Sequence, residues 1–153
     1  MRKLLELDAL KDRSVLEFGC GFGQDLEILR YTYGIDIEGY DKYNMMFDNE
    51  MWLNGTYDVV TCNYVLNVIY DLKEHKEVID KLRKLGREVY ISVRTDARAI
   101  KENWEYIEEY KCWKTPRGSY QRFYTDDSGL VDELIGSVEY IINNKSLKLF
   151  KLA

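Results

Sequence analysis

A short apolar run, Val15-Leu16, closes on the acid Glu17. Phe18 then leads into three glycines at alternate positions, Gly19, Gly21 and Gly23, with Cys20 and Phe22 between them. A strand that stops, a turn stripped of side chains and a helix start make a place where a ligand meets main-chain N–H groups. Glycine lets the chain turn sharply and lets a ligand come close. Dinucleotide sites carry G-x-G-x-x-G; here the spacing is G-x-G-x-G, and Glu17 stands two residues before the first glycine. A carboxylate at that point repels a pyrophosphate and suits an ammonium group. About twenty residues past the loop, Asp41 ends a second short run, where an acid can accept both hydroxyls of a ribose. Two strand-end acids with glycines between them fit an adenosyl ligand that carries an amino acid and no phosphate.

The elements that must hold these residues follow from periodicity. Residues 3–10 read as a short amphipathic lead-in, and 14–18 as a strand buried on both faces. Leu26, Leu29 and Tyr33 fall on one helical face, and Gly34 is a good stop for that helix. Glu38-Gly39-Tyr40-Asp41 reads as the second strand. Strand, helix, strand in this order make a right-handed crossover with parallel strands. The interval from Asp41 to Tyr57 is too short for another helix and strand, so the third strand is expected to be shortened or missing. Tyr57-Asp58-Val59-Val60-Thr61-Cys62 is a β-branched strand that enters Asn63 and Tyr64. Asp71 is placed to cap a helix with Glu74 in its first turn and Val78, Ile79, Leu82 and Leu85 as its buried stripe. Residues 88–93 form another strand. Residues 97–110 read as a helix with Ile100, Trp104 and Ile107 on one face, and 111–124 as an irregular loop around Pro116 and Gly118. A last helix carries Leu130, Val131, Leu134 and Ile135. Residues 137–142 and 146–152 form a hairpin, so one final strand runs antiparallel. The expected architecture is an α/β sandwich with a mostly parallel sheet and an antiparallel C-terminal hairpin.

The chain has 153 residues, a formal net charge of -5 and 46% apolar residues, which suits a single domain with a real core. That charge does not draw the molecule as a whole to polyphosphate. Cys20, Cys62 and Cys112 are odd in number and widely spaced, which argues for a reducing compartment and against a disulfide frame or a zinc site. No run is long enough to span a bilayer, and the expected location is cytoplasmic.

Three blocks in order resemble the class I S-adenosylmethionine-dependent methyltransferases. They are Val15-Leu16-Glu17-Phe18-Gly19-Cys20-Gly21-Phe22-Gly23, then Gly39-Tyr40-Asp41, then Tyr57-Asp58-Val59-Val60-Thr61-Cys62-Asn63-Tyr64-Val65-Leu66-Asn67-Val68. The Tyr64-Val65-Leu66-Asn67-Val68 run is also similar to small bacterial and phage members of uncertain substrate, some associated with DNA modification genes. The resemblance implies a Rossmann-like fold and S-adenosylmethionine as cofactor. Phe18, Gly19, Cys20, Gly21 and Gly23 would hold its methionine part through backbone groups, with Glu17 near the ammonium. Asp41 would hold the ribose, with Lys42 beside it. Asp48, with Phe47 or Met46, would meet the adenine. Asn63 and Tyr64 would flank the sulfonium and methyl, and are the candidates for catalysis.

Other residues have plainer readings. Cys62 ends an apolar strand, so burial is expected rather than the exposed thiolate of cytosine-C5 methylation. His75 lies among Lys and Glu and is read as a solvated helix face. Trp104 is read as core. Asn67 suits helix capping as well as catalysis. Lys111, Lys114, Arg117 and Arg122, interleaved with Trp113, Tyr120, Phe123 and Tyr124, suit an anionic planar substrate, a nucleotide or nucleic acid. The same cations could instead balance Glu102, Glu105, Glu108 and Glu109. No Asn/Asp-Pro-Pro-Tyr/Phe motif is present, against the usual amino methylation of DNA bases. The acceptor is open between a small molecule, a nucleotide and a nucleic acid, and so is the oligomeric state. The alternatives are a non-catalytic S-adenosylmethionine-binding module, or subunit needing a partner, and a nicotinamide-dependent reductase, which the glycine spacing and Glu17 disfavour.

Overall fold

The computed structural model describes residues Met1–Ala153, which fall into two compact units, Met1–Asn63 with Lys81–Tyr90 and Tyr64–Asp80 with Ile91–Ala153. The first unit opens with α1 (Arg2–Glu6), then β1 (Val15–Phe18), α2 (Gln24–Tyr33), β2 (Ile37–Tyr40) and β3 (Tyr57–Asn63). All four residues of β1 are buried, as a strand covered on both faces must be. It lies between two parallel neighbours: Glu17 is in register with Gly39 of β2 and with Thr61 of β3. Leu26 and Leu29 bury one face of α2, whereas Tyr33, expected on that face, is 55% exposed. Gly34 closes the helix with φ 65° and a backbone bond to Leu29.

The third strand of the expected arrangement is missing. Between β2 and β3 the chain makes turns and one 3₁₀ segment, Glu50–Asn54, capped by Asn49. β2 is therefore the end strand of a six-stranded sheet, in the order β2-β1-β3-β4-β9-β8, in which β4 is Gly86–Arg94, β8 is Val138–Asn143 and β9 is Leu147–Leu152. α3 (Leu72–Leu85) leads straight into β4, and Asp71 caps it by accepting the Glu74 N–H at 2.7 Å.

In the second unit β8 and β9 form the expected antiparallel hairpin, with a bulge between Tyr140 and Ile142. α4 (Leu130–Leu134) buries Leu130 and Val131. The helix expected over residues 97–110 does not form. Single 3₁₀ turns stand at Ala97–Ala99 and Glu108–Tyr110, and β5 (Glu105–Ile107) runs between them. β5 joins β6 (Cys112–Lys114) and β7 (Tyr120–Gln121) in a small antiparallel sheet, so the expected loop carries two short strands. The cause is legible in the pairing. Lys111 takes φ 49° and reverses the chain, and Tyr106 then meets Trp113 across the sheet with ring centroids 5.2 Å apart. Such cross-strand aromatic pairs outweigh weak helical periodicity. Trp104 is accordingly half-buried in a turn rather than core. No helix is long and apolar enough to cross a membrane.

Candidate functional site

The first unit gathers the glycine loop, the end of β2 and the end of β3. Gly19, Gly21 and Gly23 have φ of 76°, 57° and 72°, a conformation that side chains disfavour. The loop starts where the N–H groups of Gly19 and Cys20 both reach the carbonyl of Tyr40, at 2.7 and 3.1 Å. It ends as Glu27 donates to the Gly23 carbonyl and opens α2. Phe47 supports it from below: a Cβ on Gly23 would stand 2.4 Å from that ring. Phe47 is thus spent on holding the loop.

Asp41 grips the loop directly. Its Oδ2 accepts the Gly21 N–H at 2.8 Å, and its Oδ1 accepts the Tyr43 N–H at 2.9 Å. Asn44 donates from Nδ2 to the Gly21 carbonyl at 2.7 Å. Gly21, Phe22, Asp41, Asn44, Met45 and Met46 line an open pocket of about 440 Å³. Phe22, Met45 and Met46 are 89%, 96% and 85% exposed. Met46 was expected near the adenine, whereas Asn44 and Met45 carry no such signal in the sequence, although Asp41-Lys42-Tyr43-Asn44 has the composition of a side-chain-capped turn.

Glu17 is the electrostatic oddity. It is 4% exposed, its Oε1 accepts from Asn63 Nδ2 at 3.1 Å, and its Oε2 is buried with no partner. Burial, offset in part by the Asn63 bond, raises its pKa from 4.5 to about 7. A buried carboxylate with one idle oxygen is stable as the neutral acid or beside a cation. Cys20 lies within the field of Glu17 and Asp41, and burial first and those charges second push its thiol up to about 12. Cys62 is fully buried and its thiol is also raised by burial. Neither is a thiolate at neutral pH.

Not every expected residue joins. Lys42 is exposed, with its Nζ 5.4 Å from the Tyr43 ring centroid. Asp48 is exposed and acts on the Tyr40 hydroxyl, whose pKa is raised by burial and then by Asp48 and Glu50. Neither lines the pocket.

The profile of a methyltransferase-domain family matches residues 1–128. The chain belongs to this methyltransferase family. No curated protein matches it in sequence. Among solved structures, the CcbJ methyltransferase of Streptomyces caelestis superposes with a TM-score of 0.63 at 12% identity, over 99% of this chain and 89% of its own. An S-adenosylmethionine-dependent methyltransferase from Methanosarcina mazei gives 0.62 at 13%, over 95% and 94%. The magnesium protoporphyrin IX methyltransferase of Synechocystis PCC 6803, solved with bound S-adenosylmethionine, gives 0.54 at 16%, over 97% and 73%. These likenesses carry the fold: an α/β, Rossmann-like sheet that is mostly parallel.

In this methyltransferase the segment after β3 belongs to the second unit and is built around buried polar groups. Tyr64 takes φ 61°, is 45% exposed and donates its N–H to the Ser92 carbonyl at 2.9 Å. A bulky side chain in the left-handed region is a local strain. Asn67 is buried and caps no helix. Its Oδ1 accepts the Arg94 N–H at 3.0 Å, and its Nδ2 donates to the Arg122 carbonyl at 2.5 Å. Arg122, expected on a basic surface, is wholly buried. It donates to the carbonyls of Leu66, Ile69, Tyr70 and Tyr110 at 3.4, 2.8, 3.0 and 2.8 Å. His75, expected in solvent, is 1% exposed, with Nε2 2.6 Å from the Tyr124 hydroxyl. Burial, with the Arg122 charge second, lowers its pKa to about 3, so it is neutral. Lys111 pairs with Glu133, and Phe123 and Tyr124 are core. Of the four cations expected to face a ligand, Arg117 is exposed, and Lys114 is half-buried, opposite Glu105 and with its Nζ 6.0 Å from the Tyr120 ring centroid.

Proposed function

We propose that this chain transfers a methyl group from S-adenosylmethionine to a small-molecule or nucleotide acceptor, and that the first unit holds the cofactor. The observation that carries the reading is the buried, partnerless Oε2 of Glu17 beside a glycine loop in left-handed conformation. An amino-acid ammonium supplies the donor that this oxygen lacks, directly or through water. Gly19 to Gly23 present backbone to the methionine part, and Asp41, with lone pairs to spare, takes the ribose hydroxyls. Met46 in the pocket wall is the residue for the adenine face. Asp48 is a weaker choice, because it is exposed and does not line the pocket.

The cofactor supplies a methyl already activated by a positive sulfur. The chain has to align the acceptor, exclude water and take up any proton released. Asn63 fixes the Glu17 carboxylate, and Tyr64 follows it on a strained backbone at the end of β3. A small acceptor is favoured over a nucleic acid because Arg122 and Lys111 are spent within the protein and the net charge is -5.

Incubation of the purified chain with methyl-labelled S-adenosylmethionine and separate pools of metabolites, nucleotides, RNA, DNA and protein tests this. Label in the small-molecule or nucleotide pool, with S-adenosylhomocysteine released, is the expected result. Label confined to DNA, RNA or protein overturns the acceptor class. A second reading, a binding module that needs a partner, is favoured by the absent third strand, and methyl transfer by the chain alone excludes it.

A further inference from the structure

Gly21 stands at the crest of the glycine loop. It has φ +57° and nothing within 4 Å of where a Cβ would lie, so packing does not hold it. Two side chains from one turn hold it instead. Asp41 Oδ2 accepts its N–H at 2.8 Å, and Asn44 Nδ2 donates to its carbonyl at 2.7 Å. Each gripping side chain is itself fixed. Asp41 Oδ1 accepts the Tyr43 N–H at 2.9 Å, and Asn44 Oδ1 accepts the Met46 N–H at 3.1 Å. The backbone of the turn is closed by Asn44 N–H to Asp41, Phe47 N–H to Asn44 and Asp41 N–H to Phe47, at 3.3, 2.8 and 3.2 Å. Only an amide fills position 44. It must donate to one carbonyl while accepting from one N–H, and a carboxylate would set an acceptor against the Gly21 carbonyl.

We infer that Asn44 is a positioning residue that, with Asp41, holds Gly21 in its ligand-ready conformation before the cofactor arrives. The inference rests on the reading that the glycine loop cradles the methionine part of S-adenosylmethionine. The turn that stands in place of the missing strand thus also orders a loop that glycine would otherwise leave mobile. Ordering one free residue at the moment of binding weakens affinity by about tenfold, and Asn44 removes that cost in advance.

The test uses Asn44→Ala and Asn44→Asp in the full chain, with S-adenosylhomocysteine titrated by calorimetry, thermal unfolding, and amide exchange at Gly21 measured by NMR without ligand. Asn44→Ala is expected to raise Kd about five- to tenfold, and Asn44→Asp to raise it more. Tm should stay within about 3 °C, because Asn44 is half-exposed at the edge of its unit. Gly21 exchange should speed up about tenfold or more, while amides of β4 keep their rates. Kd within twofold of wild type in both variants overturns the inference, as does a variant that unfolds outright, since Asn44 would then hold the fold rather than the loop. If wild type binds no S-adenosylhomocysteine, the cofactor reading falls. Gly21 exchange then decides alone: unchanged exchange in Asn44→Ala overturns the inference, and faster exchange upholds the grip.

Discussion

If Glu17 receives the cofactor ammonium, as proposed, binding should release a proton. The Glu17 pKa without ligand is about 7 against an ordinary 4.5, and burial is the main cause. A rise of that size is on the order of 3 kcal/mol. The sign follows from proton counting. Folded chain keeps a proton that unfolded chain gives up, so the contribution to stability is complete below about pH 4.5 and lost as pH rises through about 7. An ammonium ligand needs the carboxylate. At pH 6 about 90% of empty sites carry the proton, and affinity is reduced about elevenfold; at pH 8 the reduction is about 1.1-fold. Kd for S-adenosylhomocysteine should therefore fall about tenfold between pH 6 and 8. Calorimetry in two buffers of different ionisation enthalpy should count about 0.9 proton released per site at pH 6 and about 0.1 at pH 8. Glu17→Gln keeps an acceptor for Asn63 but carries an amide where the idle oxygen stood. In that variant Kd should be flat across this range and more than about tenfold weaker at pH 8. The fall in unliganded Tm between pH 5 and 8, about 5–10 °C from this group in wild type, should also vanish. A wild-type Kd unchanged from pH 6 to 8, with no proton released, refutes the assignment of Glu17 to the ammonium.

Asp41→Ala removes acceptors from the Gly21 and Tyr43 N–H groups as well as from the ribose. Calorimetry should show S-adenosylhomocysteine affinity down by more than about tenfold, and unchanged affinity removes Asp41 from the site. His75 is neutral and buried with a pKa of about 3, below its ordinary 6.5, so folding loses its contribution as pH falls below 6.5 toward 3. Urea unfolding should lose on the order of 3 kcal/mol from this group between pH 7 and 4.5, and His75→Gln should flatten that slope; equal slopes in both proteins would refute it. Arg122→Met strips donors from four carbonyls and should lower unfolding free energy by about 3 kcal/mol or more, whereas a loss under about 1 kcal/mol would show that its buried bonds are dispensable.

The parts of the fold that the sequence discloses are those set locally. β1, the glycine loop and α2 follow from an apolar run, three glycines and a helical stripe within about twenty residues, and the absent third strand follows from a chain interval too short to hold it. The features that the sequence does not disclose depend on partners far along the chain. His75 looks solvated because Glu74 and Lys76 flank it, yet Tyr124, 49 residues on, takes it inside. Arg122 looks like surface charge because its partners are main-chain carbonyls, which leave no mark in a sequence. The stretch 97–110 has Ile100, Trp104 and Ile107 at helical spacing, and the competing aromatic pair becomes decisive only when Lys111 turns the chain back. Within the candidate site, Glu17 and Asp41 were legible by type and spacing. Asn44 was not, since its value lies in reaching back 23 residues to one carbonyl.

The most direct measurement is calorimetric titration of the whole chain at pH 8 with S-adenosylmethionine, S-adenosylhomocysteine and NAD in parallel. One site per chain is expected for both adenosyl ligands, with no heat of binding for NAD. Binding of NAD alone, or of none of the three, contradicts a glycine loop built for a cationic, phosphate-free adenosyl ligand.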